Sequence, residues 1–157
     1  MLLEDTRQQK GKHEIKHAWW QANGYGLIRS KLAFGDYCLP PKAAVDTKAS
    51  IYELAYDRDH DHKRFRDGLI RARDAGVRLY IVVENDEGVR DLQDLRQWRE
   101  DAAHFAERIH ARRRLEGTRL AKACVTLSDR YGPVFLFCAP EESAALVSQL
   151  LEEGGRQ

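Results

Sequence analysis

Asp36, Asp46 and Lys48 are the residues whose types and spacing suggest chemistry. Asp46 and Lys48 stand two apart in Val45-Asp46-Thr47-Lys48, and in a strand residues two apart project from the same face. Asp36 lies earlier, on the far side of Pro40-Pro41. Two short strands around a Pro-Pro turn, from Gly35 to Lys48, bring Asp36 beside the other two. Two carboxylates next to one ammonium is a costly arrangement unless something binds there. A divalent cation between the carboxylates, with the lysine facing a water or a phosphate, uses that charge. The chemistry expected is metal-dependent phosphodiester hydrolysis. The plainer alternative is a solvated hairpin with a salt bridge.

The elements that must position these residues follow from the apolar pattern. At 157 residues, 43% of them hydrophobic, the chain suits one well-buried domain over 1–157. Charged residues make up 32% and the net charge is +1, so any nucleic-acid contact depends on local patches. Cys38, Cys124 and Cys138 have no CxxC spacing, which favours reduced thiols over a zinc or disulfide framework. The sequence begins without a signal-peptide pattern and no apolar run is long enough to span a membrane, so a cytoplasmic location is expected.

Leu2 to Asp5 suits a short strand, and Lys12 to Asn23 a helix with Ile15 and Trp19 on its core stripe. Adjacent Trp19 and Trp20 cannot both point inward. Tyr25 to Lys31 reads as a strand leading to the hairpin, and Ser50 caps a helix holding Ile51, Leu54 and Ala55. Phe65 to Ala75 is a helix, and Val77 to Glu84 a buried central strand. Helices are expected over Asp91 to Trp98, Glu100 to Arg114 and Arg119 to Arg130. A strand at Val134 to Cys138 and a last helix from Pro140 complete the chain. The order predicts an α/β fold with a mixed central sheet and helices on both faces.

Several strings resemble the XPF family of nuclease domains, within the PD-(D/E)xK superfamily. Asp5-Thr6-Arg7-Gln8 resembles the family's Asp-x-Arg-Glu. Gly35-Asp36-Tyr37 resembles its Gly-Asp-Tyr, and Val45-Asp46-Thr47-Lys48 sits where it has Val-Glu-Arg-Lys. The Val77 strand and the final helix-strand-helix are also similar, so the resemblance covers nearly the whole chain. It implies a restriction-endonuclease-like fold and a Mg²⁺-dependent endonuclease, Mn²⁺ substituting. Its DNA would be branched, flap or junction DNA, in repair, recombination or phage DNA processing. The stand-alone form looks similar to nuclease-domain proteins of bacteria and phages, with a bacterial or phage-infected cytoplasm as its location. A homodimer is also implied, with Leu146, Val147, Leu150 and Leu151 either at that interface or facing their own sheet. Gln8 departs from the family's Glu, Asp46-Thr47 from its Glu-Arg, and the family's downstream acid falls on Tyr52, with Glu53 one step further. The tandem helix-hairpin-helix domain that normally follows has no counterpart here.

Roles follow from side-chain chemistry. Asp36 and Asp46, with the Thr47 carbonyl, are the expected metal ligands. Lys48 would orient the attacking water or stabilise charge on phosphorus. Asp5 is a further acidic ligand or an outer partner, and Arg7 a phosphate contact or lock; a structural Asp-Arg pair is the alternative. Gln8 and Glu53 form a second tier. Arg64 and Arg66, and the patch Arg108, Arg112, Arg113, Arg114 with Lys122, are the expected DNA-backbone contacts, against the alternative of a solvated surface. The charged run Asp57 to Lys63 is expected near the site or capping the next helix, not as a zinc centre. A general or restriction-type nuclease, or a non-catalytic DNA-binding module, are the competing functions.

Overall fold

Apolar runs and alternating stretches become six strands of one sheet, in the order β2-β1-β3-β4-β5-β6. The computed structural model describes residues 2–9, 11–39 and 43–155. The expected Pro40-Pro41 turn lies outside the described residues, as do Arg156 and Gln157. The strands are β1 (Leu2–Asp5), β2 (Leu27–Ser30), β3 (Tyr37–Leu39), β4 (Ala43–Lys48), β5 (Arg78–Glu84) and β6 (Val134–Cys138). The helices are α1 (Glu14–Ala22), α2 (Ile51–Asp59), α3 (His62–Asp74), α4 (Leu92–Gln97), α5 (Ala102–Glu107), α6 (Gly117–Tyr131) and α7 (Ser143–Gly155). A 3₁₀ turn, Pro140–Glu142, leads into α7.

β3 runs antiparallel to its neighbours β1 and β4, while β1 pairs parallel with β2, and β4, β5 and β6 pair parallel in series. The carboxyl ends of β1, β4 and β5 therefore share one edge of the sheet with the amino end of β3. This is the edge at which α/β sheets bind ligands. β5 is buried along almost its whole length, as its continuous apolar run requires.

Both faces of the sheet are covered. On one, Ala44, Leu79, Ile81 and Val83 pack against Ile51 and Leu54 of α2, Leu69 of α3, Leu95 of α4 and Leu120 of α6. On the other, Val45, Tyr80 and Val82 pack against Trp20 of α1 and Val147 and Leu151 of α7. Val147, Leu150 and Leu151 thus face their own sheet.

Three local expectations are corrected. In α1 the buried stripe runs through Lys16 and Trp20, while Ile15 is 68% exposed. The Trp20 indole donates to Ser148 Oγ at 2.7 Å, a hydrogen bond into α7 that Trp19 does not make. Trp19 is half-buried and stacks on Tyr25. The helix expected over Glu100 to Arg114 is only the six residues of α5. Beyond it the chain turns back, because the buried Glu100 carboxylate accepts from Arg108 Nε at 2.7 Å and from the Leu115 amide at 2.8 Å. That closes the basic segment into a loop, which ends in a bridge between Arg99 and Glu116. Finally, α6 begins at Gly117, two residues before the expected Arg119, and the Thr118 hydroxyl donates to the Arg96 carbonyl.

Gly117 is where α6 comes against α4: a Cβ there would run into the Leu95 carbonyl. Gly117→Ala is expected to lower stability by about 1–3 kcal/mol through overpacking. Gly68→Ala lies inside α3, where the nearest atom to a new Cβ is an Arg71 nitrogen at 3.7 Å. It is expected to gain up to about 1 kcal/mol from helix propensity. Urea unfolding midpoints of the two variants check both signs.

Candidate active site

Lys48 is the centre of the site. It ends β4, and its ammonium is buried between Asp46 Oδ1 at 3.0 Å and Asp57 Oδ2 at 2.6 Å. Asp46 is on the same strand face two residues before it. Asp57 comes from the second turn of α2, whose start is fixed by Ser50 accepting from the Glu53 amide. The Phe65 ring lies 5.1 Å from the ammonium, adding a cation–π contact. An ammonium has three protons to donate. Two are committed here, which leaves one for a ligand.

Asp36 arrives from the other direction. Gly35 takes φ +69°, a left-handed turn that favours glycine, and a Cβ there would lie 3.0 Å from the Val45 carbonyl oxygen. Tyr37, wholly buried, packs edge-on to Trp20 at 4.9 Å and anchors the start of β3. Asp36 then stands between a tight turn and a fixed aromatic. Its Oδ2 accepts from the Thr47 amide at 2.8 Å and the Thr47 hydroxyl at 3.0 Å. The register of β3 on β4, with Tyr37 opposite Val45, carries Asp36 across from Asp46.

These groups line one cleft of about 510 Å³. Arg7, Gln8, Asp36, Asp46, Thr47, Lys48, Glu53 and Arg64 are all on its wall. Asp57 lies there too, unforeseen as a partner of Lys48. Its signal was available: one turn beyond Leu54, it falls on the inward side of α2.

Other expected residues sit elsewhere or are already engaged. Asp5 is buried, and its carboxylate is gripped by Arg7 through the Arg7 amide at 2.7 Å and Nε at 2.9 Å, with the Leu32 amide at 3.2 Å. The cleft wall reaches Arg7 but not Asp5. Glu53 accepts from the Ala49 amide at 2.7 Å, closing a cap on its own helix. Arg108 is bound to Glu100 through two nitrogens, at 2.7 and 2.6 Å. Arg112, Arg113, Arg114 and Lys122 are exposed and lie outside the cleft wall, and Arg66 is paired with Asp67 at 3.5 Å. Arg71, by contrast, lines the cleft.

Burial pushes both Asp36 and Asp46 above the ordinary carboxylate value. For Asp36 the Thr47 amide and Lys48 oppose the shift. Asp46 is pushed up to about 6 by burial, with Asp36 and Asp57 adding to it and Lys48 opposing. Lys48 is raised above the usual lysine value: burial alone would lower it, but Asp46 and Asp57 prevail. For Asp5, burial would raise the value, but hydrogen bonds from Arg7 hold it low.

The donor set suits a hard divalent cation. Asp36 and Asp46 are oxygen ligands in mutual repulsion, and Mg²⁺ is commonly held by one or two carboxylates with several waters retained. Among the described residues, no group of three or more His, Cys, Asp or Glu side chains is arranged to hold a metal ion. A cation here would therefore rest on two carboxylates and backbone or water oxygens.

No family model matches the chain, and no curated protein does. Solved structures do match, and they define the fold: it is that of the XPF-type nuclease domain. One is XPF from Aeropyrum pernix, with TM-score 0.67 and 18% identity over 99% of this chain and 65% of that one. Another is XPF from Aeropyrum pernix in complex with DNA, with TM-score 0.65 and 16% identity over 99% of this chain and 64% of that one. The chain thus spans less than two thirds of the length of each.

The raised Asp46 value has a stability consequence. The folded carboxyl holds its proton more tightly than the unfolded one, whose ordinary value is 3.8, so its ionisation disfavours folding. With a chelator present, the melting temperature is expected to fall as pH rises through about 6. Asp46→Asn is expected to flatten that part of the profile and to melt higher than wild type above it. Melting curves across the pH range check this.

Proposed function

We propose that the chain is a Mg²⁺-dependent DNA endonuclease, with Mn²⁺ able to substitute. The observation that carries this reading is the convergence of Asp36, Asp46 and Lys48 in one cleft at the ligand-binding edge of an XPF-type fold. A neighbour of the same fold is in complex with DNA, which supports DNA as the partner.

The residues divide the work. Asp36 and Asp46 would hold the cation, with the Thr47 carbonyl as a further oxygen donor. Thr47 fixes Asp36 through its amide and hydroxyl, so one carboxylate is pre-oriented before anything binds. When bound, Mg²⁺ supplies Lewis-acid polarisation of phosphoryl oxygens and a nucleophile at neutral pH. Lys48 donates its remaining proton to a phosphoryl oxygen, where charge accumulates as the nucleophile attacks. Asp57 keeps that ammonium charged and aimed. Arg7 is locked on one side to Asp5 and Leu32, yet its side chain is 60% exposed at the cleft. Its free edge is placed for a second phosphoryl oxygen. Arg64 and Arg71 on the cleft wall would neutralise neighbouring backbone, and the exposed arginines of the loop after α5 would add sequence-tolerant contacts farther out.

The substrate we propose is branched, flap or junction DNA, cut during repair, recombination or phage DNA processing in a bacterial cytoplasm, by a homodimer. General cutting of linear duplex is the alternative within this chemistry. A non-catalytic DNA-binding module is the other class.

A cleavage assay on linear, flap, fork and four-way DNA, with Mg²⁺, Mn²⁺ or chelator, separates these readings. Metal-dependent cutting confined to the branched forms is expected. Asp36→Ala and Asp46→Ala should abolish it, and Lys48→Ala should lower kcat by about 10²–10³-fold. If wild type binds DNA but cuts none of the substrates with either metal, the nuclease reading is lost and the binding module stands.

A further inference from the structure

Part of the cleft lining comes from α1 and its approach. Lys12, His13 and Lys16 line it. Lys16 is the telling member. Its side chain is only 8% exposed, and its ammonium pairs with Glu84, at the carboxyl end of β5. Glu84 is held in turn by the Ser143 hydroxyl, which donates at 2.7 Å from the wholly buried start of α7. A buried ion pair is a weak source of stability, since well-packed apolar side chains usually do as well. What this one provides is a fixed ammonium on the cleft wall, still carrying protons to donate.

Lys12 extends the positive surface toward solvent, and His13, held below the ordinary imidazole value by burial and by Lys16, stands beside it as a neutral hydrogen-bonding group. His13 occupies the N-cap of α1, where no side chain caps the helix, so amides of the first turn stay open to an anion. Asp46 and Asp57 pair with Lys48, Lys16 pairs with Glu84 on the same lining, and exposed Lys12 adds positive charge there. A lone phosphate at Lys48 would leave Lys12 and the remaining protons of Lys16 unused. An extended phosphodiester chain satisfies both.

We propose that Lys12, His13 and Lys16 form a second phosphate-binding subsite, gripping the backbone phosphate next to the one presented to Asp36, Asp46 and Lys48. This rests on the reading of the cleft as a DNA site. Lys16 acts as the fixed element, positioned by Glu84 and Ser143, and Lys12 and His13 close from the rim. The subsite sets which length of strand must enter the cleft before the reacting phosphate is in place.

The test is DNA binding in chelator, so that cleavage plays no part. Affinity of a short fluorescein-labelled duplex and flap is measured by anisotropy over a range of salt concentrations. Lys16→Gln keeps a hydrogen bond to Glu84 and removes the charge; a double variant, Lys12→Ala with His13→Ala, leaves the buried pair alone. Each is expected to bind roughly tenfold more weakly, with a shallower salt dependence, by about 0.7–0.9 for each phosphate no longer neutralised. Arg78→Ala with Arg130→Ala removes exposed charge elsewhere and is expected to leave both quantities unchanged. Should Lys16→Gln melt out, the double variant decides. If wild type binds and the α1 variants bind equally well, or the control pair weakens binding as much, the subsite is overturned while the cleft reading stands. If wild type binds no DNA, both fall together.

Discussion

Everything at the functional edge depends on one imbalance of charge. Asp46 and Asp57 meet at a single buried ammonium, Lys48, and Asp36 stands across from Asp46. Were all ionised, the cluster would carry an excess of two negative charges. Water relieves little of that strain, because Lys48 and Asp57 are buried. The strain appears in Asp36 and Asp46, which are pushed toward their protonated forms by burial, with Asp36 and Asp57 adding to the shift of Asp46. Such perturbation beside a cleft marks a site adapted to a ligand more than to stability. A divalent cation is the ligand that would offset it most directly.

That imbalance exists only because of the topology. In a wholly parallel sheet, each strand delivers residues to the ligand edge from its carboxyl end. β3 runs the other way and delivers Asp36 from its amino end, across from Asp46. The short strand is held by Tyr37 in the core and by the turn at Gly35, where the Val45 backbone leaves no room for a side chain. Asp36-Tyr37 thus splits into a residue for the cleft and a residue for the core, as strand alternation demands. The same alternation on β4 sends Asp46 and Lys48 toward α2, and the same rule on β5 sends Glu84 toward α1 and α7.

Much of this was legible because it rests on period and side-chain type. The strands, the hairpin residues and the grouping of Asp36, Asp46 and Lys48 follow from alternation and from the expense of clustered charge. What was hidden depends on rotation and on distant partners. In α1, Ile15 and Trp19 made as good an apolar stripe as Lys16 and Trp20. Choosing the first turned the helix by about one residue, or 100°, and sent Lys16 to solvent. The indole hydrogen bond to Ser148, far along the chain, selects the true face. Asp57 was read as part of a polar run because its partner lies in another element. The segment after Glu100 looked helical because nothing local signals that its carboxylate will bind both Arg108 and the Leu115 amide.

Glu100 and Glu84 then illustrate two uses of a buried carboxylate. Glu100 is fully enclosed and satisfied by Arg108, His104 and the Leu115 amide, and its value is drawn down to about 2: burial would raise it, but those hydrogen bonds prevail. Its charge is spent on holding a loop closed. Arg108 belongs to that closure and is not a free cation for a ligand. Glu84 is held by one ammonium and one hydroxyl at the edge of a cleft. Its charge keeps the Lys16 ammonium on the cleft lining. The distinction is geometric: a carboxylate whose partners all lie in the chain's own backbone and side chains builds structure, whereas one whose cation also faces a cavity builds a site. By that criterion the two carboxylates differ in kind: Glu100 closes a loop, while Glu84 holds Lys16 on the cleft lining.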